Sequence, residues 1–181
     1  MTIESMIENT IGKEGGYSDH PADRGGKTIW GITEAVARQN GYSGDMRAMP
    51  RSTAVAIYRS EYAIKPGFAA VAEIYPRVGE ELFDTGVNMG PARPSLWLQE
   101  WLNALNQGGK HWPDIAEDGR IGPGTLNALK AYKKLRGAEG ETRLLAALNA
   151  SQGERYKQIA RGNPSQEHFV YGWLARLGGG A

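Results

Sequence analysis

The chain has 181 residues, enough for one domain or two small lobes, and 40% of them are hydrophobic, which excludes a disordered chain. Its formal net charge is +1 and its Lys and Arg residues are dispersed, so the charge asks for no nucleic-acid partner. There is no cysteine, which excludes disulfides, thiolate zinc sites and thiol catalysis, and His20, His111 and His168 stand in no metal-ligand spacing; neither a metal nor a cofactor is expected.

The opening MTIESMIENTIGKEGGY has neither the basic region nor the apolar run of a secretory signal. No later stretch approaches the ~20 apolar residues of a membrane span. The expectation is synthesis in the cytoplasm without stable membrane insertion.

Ile3, Met6, Ile7, Thr10 and Ile11 recur at helical spacing and predict a helix over 3–14. At about 100° per residue, Glu14 falls roughly 20° from Ile3 and Ile7, inside the apolar stripe. Gly15-Gly16 then stops the helix. Residues 17–32 place Tyr17, Thr28, Ile29 and Trp30 among Pro21, Gly25, Gly26 and Gly31, a pattern of short strands and turns. Thr33 is a candidate cap for a helix over 34–40, followed by the loop GYSGD. A helix over 52–64 would turn Ala54, Ile57, Tyr58 and Tyr62 inward, and Pro66-Gly67 would end it. Helical patterns follow near 74–88, 92–105, 124–135, 141–161 and 165–177. Asn106 to Gly122 reads as a long loop with a turn at Asp118-Gly119, and Pro123 suits the first turn of the next helix. No internal repeat or low-complexity tract interrupts this order, and the softest boundary lies near 66–75.

Glycoside hydrolysis needs a carboxylic acid that stays protonated to serve the leaving oxygen, and usually a second carboxylate that activates water or attacks the sugar. Burial raises a carboxyl pKa, because the charged form loses its hydration. Glu14, on an apolar face, has the context of the first; Asp23, in the polar turn Ala22-Asp23-Arg24-Gly25-Gly26, has that of the second. The plainer alternative is a solvated helix-end Glu and a turn-forming Asp.

The longer string bears on this choice. Glu14-Gly15-Gly16-Tyr17, Asp23-Arg24-Gly25-Gly26-Lys27-Thr28 and Gly31-Ile32-Thr33 resemble the N-terminal signature of glycoside hydrolase family 108, the N-acetylmuramidases found as phage endolysins and in bacterial genomes. Asp84-Thr85-Gly86-Val87-Asn88-Met89-Gly90, Leu98-Gln99, Leu102-Asn103 and Asp118-Gly119-Arg120-Ile121-Gly122-Pro123 resemble the peptidoglycan-binding region that follows in that family, and Gly172-Trp173 with Arg176 resemble its ending. The resemblance implies an α+β, mostly helical, lysozyme-like fold, with a small β-hairpin lobe and a larger helical lobe around a cleft floored by Glu14. It implies a catalytic region over 1–75 and a helical peptidoglycan-binding region over 76–181, forming one compact unit. The family's catalytic glutamate maps onto Glu14. The Glu14-to-Asp23 interval also equals the acid-to-aspartate interval of T4-type phage lysozymes, which invert at the anomeric carbon; Thr28 is the candidate for the threonine that helps hold their water.

Substrate-binding candidates are Tyr17, Trp30 and Asn88. Tyr17 and Trp30 can stack on sugar rings or simply pack the hairpin. Asn88 can meet an acetamido group or satisfy buried backbone. Trp97 and Trp101 stand at helical i, i+4 spacing, which favours a core or lobe-contact role, and Trp173 reads as a C-terminal anchor. Arg24 and Lys27 flank Asp23 and can pair with it, contact peptide carboxylates or remain solvated. Asp118-Gly119 lacks the other oxygen ligands of a calcium loop.

The reading is a monomeric hydrolase whose partner is the bacterial peptidoglycan glycan strand, cut at the β-1,4 bond between N-acetylmuramic acid and N-acetylglucosamine. A lytic transglycosylase is one alternative. A non-catalytic peptidoglycan-binding or secretion-helper protein is the other. Without an export signal, the expectation is a cytoplasmic endolysin that reaches the periplasmic wall after a holin opens the inner membrane.

Overall fold

The computed structural model describes residues 3–13, 16–18 and 26–177. The fold is α+β, mostly helical and lysozyme-like, with one small antiparallel sheet among the described residues. The chain forms two compact units, residues 1–65 and 66–181. None of the described helices is long and apolar enough to cross a membrane.

In the first unit, helix α1 (Ile3–Lys13) carries the expected apolar stripe, with Met6, Ile7 and Ile11 buried against later helices. Strands β1 (Thr28–Ile29) and β2 (Ile32–Thr33) form a tight hairpin, with Thr28 opposite Thr33 and Ile29 opposite Ile32. Ser18 extends it by pairing its backbone with Thr28. Helix α2 (Glu34–Gln39) starts where expected, because the Thr33 hydroxyl accepts the Val36 N–H at 3.3 Å.

The expected helix over 52–64 is two structures. Helix α3 (Arg51–Tyr58) is regular, whereas Arg59–Ile64 is π-helical, with the Lys65 N–H bonded to the Ser60 carbonyl. The wider turn moves the buried row from Tyr58 to Ala63, a five-residue step, and leaves Tyr62 only half-buried, its ring 5.5 Å from that of Tyr58. A 3.6-residue pattern cannot anticipate that step.

In the second unit, the helix expected from about residue 74 is preceded by one that the sequence pattern does not reveal. Helix α4 (Phe68–Ile74) and helix α5 (Pro76–Met89) meet at Tyr75, which is extended at φ −133°, ψ 100°. Pro76 disfavours helical geometry at the residue before it and then sits well in the first turn of α5. The two helices double back on each other. A Cβ built on Gly79 would lie 2.5 Å from the Ala72 Cβ, and one on Gly86 would lie 2.7 Å from the Phe68 ring. Gly79→Ala is therefore a test with an informative sign. In an open helix it would stabilise by about 1 kcal/mol. Here the methyl meets Ala72 backbone, so we expect a net loss of about 1–3 kcal/mol, read as a lower urea midpoint at unchanged m-value.

Helix α6 (Ala92–Leu105) matches its expected span, and the connection to helix α7 (Pro123–Gly162) is the expected long loop. Three amide side chains of α6 and its cap organise this loop. Buried Gln99 donates to the Asp118 carboxylate and the Arg120 carbonyl at 2.9 Å each and accepts the Gly119 N–H at 2.8 Å. Asn103 exchanges two bonds of 2.9 Å with the Ile115 backbone. Asn106 donates to Asp114 at 2.6 Å and accepts the Gly109 N–H at 3.0 Å. Gln99 and the Arg120 N–H both hold Asp118, and its carboxyl is lowered below the usual range.

The two helices expected over 124–135 and 141–161 run on through α7, broken only at Gly137, whose φ 57° and ψ −145° are not helical. Two tyrosines close the break: Tyr75 donates to the Gly137 carbonyl at 2.6 Å and Tyr132 to the Gly140 carbonyl at 3.0 Å. Burial pushes the Tyr75 hydroxyl up to about 12, so it remains a donor. Helix α8 (Glu167–Leu174) is the last described helix, with the Trp173 ring centre 5.3 Å from that of Tyr156.

Candidate active site

Glu14 and Asp23, the two carboxylates expected to carry the chemistry, lie outside the described residues, as does the expected cleft floor at Glu14. The surrounding frame of the first unit is described. The stripe of α1 that leads toward Glu14 in sequence is buried at Ile7 and Ile11. On the hairpin, Thr28 is half-buried, and its hydroxyl donates to the Gly26 carbonyl at 3.2 Å. That bond uses the only hydroxyl proton and leaves the oxygen to accept.

Trp30 occupies the hairpin tip. Trp30 and Gly31 have φ 54° and 73°, the signature of a primed two-residue turn, at a place where Asn, Asp or Gly is usual. A tryptophan in left-handed geometry costs roughly 1–2 kcal/mol. Two contacts hold it there: the indole N–H donates to the Met49 carbonyl and the Tyr58 hydroxyl donates to the Trp30 carbonyl, both at 3.1 Å. The indole N–H is thus engaged, and any sugar contact by Trp30 must use the ring face.

Tyr17 lies in a hollow of about 250 Å³ lined by Lys27, Glu34, Arg38, Asp45, Met46 and Arg47. The Arg47 guanidinium stands 4.8 Å above the Tyr17 ring centre. Arg38 braces the wall, pairing with Glu34 at 2.7 Å and donating to the Tyr42 and Gly44 carbonyls. Asp45 accepts the Arg47 N–H at 2.9 Å and so fixes the turn that presents Arg47. Nothing in the sequence singles out Arg47, because thirty residues and several turns separate it from Tyr17.

In the second unit, Asn88 is exposed near the end of α5 and donates to the Tyr156 hydroxyl at 3.4 Å. Its partner is a side chain, not buried backbone. Two turns earlier, α5 carries a group that no motif marked. Glu81 is buried, and Thr85 donates to its carboxylate at 3.2 Å. Gln152 of α7 in turn donates to Thr85 at 3.0 Å. Desolvation raises the Glu81 carboxyl to about 7.

Residues 7–90 match the family model described as Glycosyl hydrolase 108. This segment belongs to glycosyl hydrolase family 108. Residues 93–178 match a second model, described as Predicted Peptidoglycan domain. The family 108 segment spans α1 to α5, so it includes the α4–α5 pair that packs in the second compact unit. Catalytic and wall-binding segments in this order make the protein a glycoside hydrolase acting on peptidoglycan, with the cell wall as its place of action. Among solved structures, that of Brucella abortus SagA is 26% identical to this chain at a TM-score of 0.65, covering 96% of this chain and 87% of that one. No curated protein matches the chain.

Proposed function

We propose that the protein is an N-acetylmuramidase that cleaves the β-1,4 bond between N-acetylmuramic acid and N-acetylglucosamine with inversion. The observation that carries this reading is the family 108 match over residues 7–90, which contains both Glu14 and Asp23. Glu14 is the general acid that protonates the leaving oxygen. Asp23 is the base that takes a proton from the attacking water. Thr28 accepts that water's second proton in a hydrogen bond, which its own bond to Gly26 leaves it free to do. The water's lone pair then points at the anomeric carbon. Tyr17, with Arg47 over its ring, and the face of Trp30 bind sugar, and Asn88 meets an acetamido group. The biological role is that of a phage endolysin, monomeric, made in the host cytoplasm and released to the periplasm through a holin.

Inversion requires room for a water, so the Glu14 and Asp23 carboxyls should stand about 6.5–9.5 Å apart; a retaining pair would be about 5–5.5 Å apart. The test is NMR of the first-formed reducing sugar before mutarotation, with mass spectrometry of the fragments. An α product with the mass of added water is expected. A β product would recast Asp23 as a nucleophile, and an anhydro product one water lighter would identify a lytic transglycosylase. Release of no fragment at all would favour the non-catalytic reading.

A further inference from the structure

The second unit holds a pocket whose lining lies within the segment matched to the peptidoglycan domain. It lies between α6 and α7, has a volume of about 320 Å³, and is lined by Arg93, Trp97, Glu100, Trp101, Glu154 and Arg155 among others. A ligand pocket of one or two small groups has about this size. Trp97 and Trp101, expected to pack in a core or lobe contact, are instead half-buried on its wall. Trp101 is fixed there by its indole N–H, which donates to the Ser151 hydroxyl of α7 at 3.0 Å.

The charges are the informative part. Arg93 and Arg155 stand one on each helix, both half-buried, and neither side chain has an ion pair or hydrogen bond among the described residues. The Glu154 carboxylate is already paired with Lys157, whose hydrogen bond lowers its pKa. Glu100, across the pocket on α6, has its carboxyl raised by partial burial and by Glu117. The site therefore presents two guanidiniums without partners, one carboxylate without an ion pair, and two indole surfaces. A guanidinium whose five N–H donors have no protein partner is matched in shape and charge to a carboxylate.

We infer that this pocket binds the peptide stem of peptidoglycan, with Arg93 and Arg155 taking its carboxylates and Glu100 the ammonium of its diamino acid. Peptidoglycan's sugars are uncharged once the lactyl group is joined to peptide, so the carboxylates of the stem are the anions such a wall offers. The aliphatic chain of the diamino acid, which ends in a carbon bearing both the ammonium and a carboxylate, lies against Trp97 and Trp101. The inference rests on peptidoglycan being the substrate, and it gives the second unit a task separate from cleavage: holding the strand by its peptide while the first unit cuts the sugar bond.

The test is isothermal titration of the full chain with three probes: the free tetrapeptide stem of diaminopimelate-type peptidoglycan, the same peptide with its carboxylates amidated, and uncharged N,N′-diacetylchitobiose. The tetrapeptide should bind. Arg93→Gln with Arg155→Gln should weaken it by about a hundredfold, roughly tenfold for each guanidinium–carboxylate pair removed. Amidation should weaken it similarly on the parent protein, which keeps the test decisive even if the double variant folds poorly. Equal binding of the native and amidated peptides, undiminished binding by a folded double variant, or no peptide binding while chitobiose binds, would overturn the inference. The tetrapeptide has no glycosidic bond, so its binding is independent of Glu14. A chain that cuts peptidoglycan but ignores the peptide would refute this inference alone; one that binds the peptide but releases no sugar would refute the muramidase reading alone.

Discussion

Glu14→Gln should lower the release of fragments from purified peptidoglycan by about two to four orders of magnitude, the usual range for loss of a general acid. The amide preserves size and shape but cannot deliver a proton to the leaving oxygen. Residue 14 follows α1 in sequence, and α1 is anchored by Met6, Ile7 and Ile11, so the far-UV circular dichroism and melting temperature should stay close to those of the parent. Near-normal turnover by the folded variant would remove Glu14 from the mechanism. Asp23→Asn should also impair cleavage, and a variant that loses water attack but still forms anhydro product would separate the two carboxylates.

Glu81→Gln should stabilise the protein at alkaline pH and leave it nearly unchanged in acid. The reasoning turns on which state binds the proton. The Glu81 carboxyl lies near its ordinary value of 4.5 when unfolded and at about 7 when folded, because burial among α5 and α7 penalises its charge. Asp84 and Glu80 add smaller repulsions, and Tyr156 of α7 shares the same field. Between these values the folded state holds more protons than the unfolded state, so stability falls as pH rises. The full contribution is present below about pH 4.5 and is lost as the pH passes about 7. The difference corresponds to roughly 3 kcal/mol. Glutamine keeps an oxygen to accept from Thr85 and carries no charge. Urea midpoints at pH 4.5 and pH 8, followed by tryptophan fluorescence, should diverge for the parent and converge for the variant. Parallel pH profiles for the two proteins would show that the carboxyl is solvated.

Much of this architecture is legible from residue spacing. The buried stripe of α1, the Thr33 cap, the bounds of α6 and the loop after it all follow from periodicity and capping chemistry. What escapes is geometry set by tertiary contact. Ala63 replaces Tyr62 in the core because the helix widens, a change with no signature in composition. Helix α4 is short and hidden behind Pro76, which divides an apolar run that reads as continuous. The same limit applies to function. Glu14, Asp23 and Thr28 are adjacent enough in sequence to form a recognisable string, whereas Tyr17 with Arg47, or Arg93 with Arg155, meet only after folding. Glu81 looks like any helical glutamate until its burial is known.

The ladder of Gln99, Asn103 and Asn106 also bears on how this protein can change over evolutionary time. Surface connections ordinarily absorb insertions and deletions, because their main chain is satisfied by water. Here α6 acts as a ruler laid beside the loop, and each amide meets a fixed position, at Gly119, Ile115 and Gly109 respectively. Adding or removing one residue between these positions would put at least one rung out of step and leave buried Gln99 without partners if it fell near Asp118. Gly119 narrows the choice further: at φ 70° it passes so close to the Ala92 carbonyl that a Cβ would lie 2.9 Å from that oxygen. The stretch from Asn106 to Gly122 is therefore a length-locked segment, and grafting sites or affinity tags belong elsewhere on the chain.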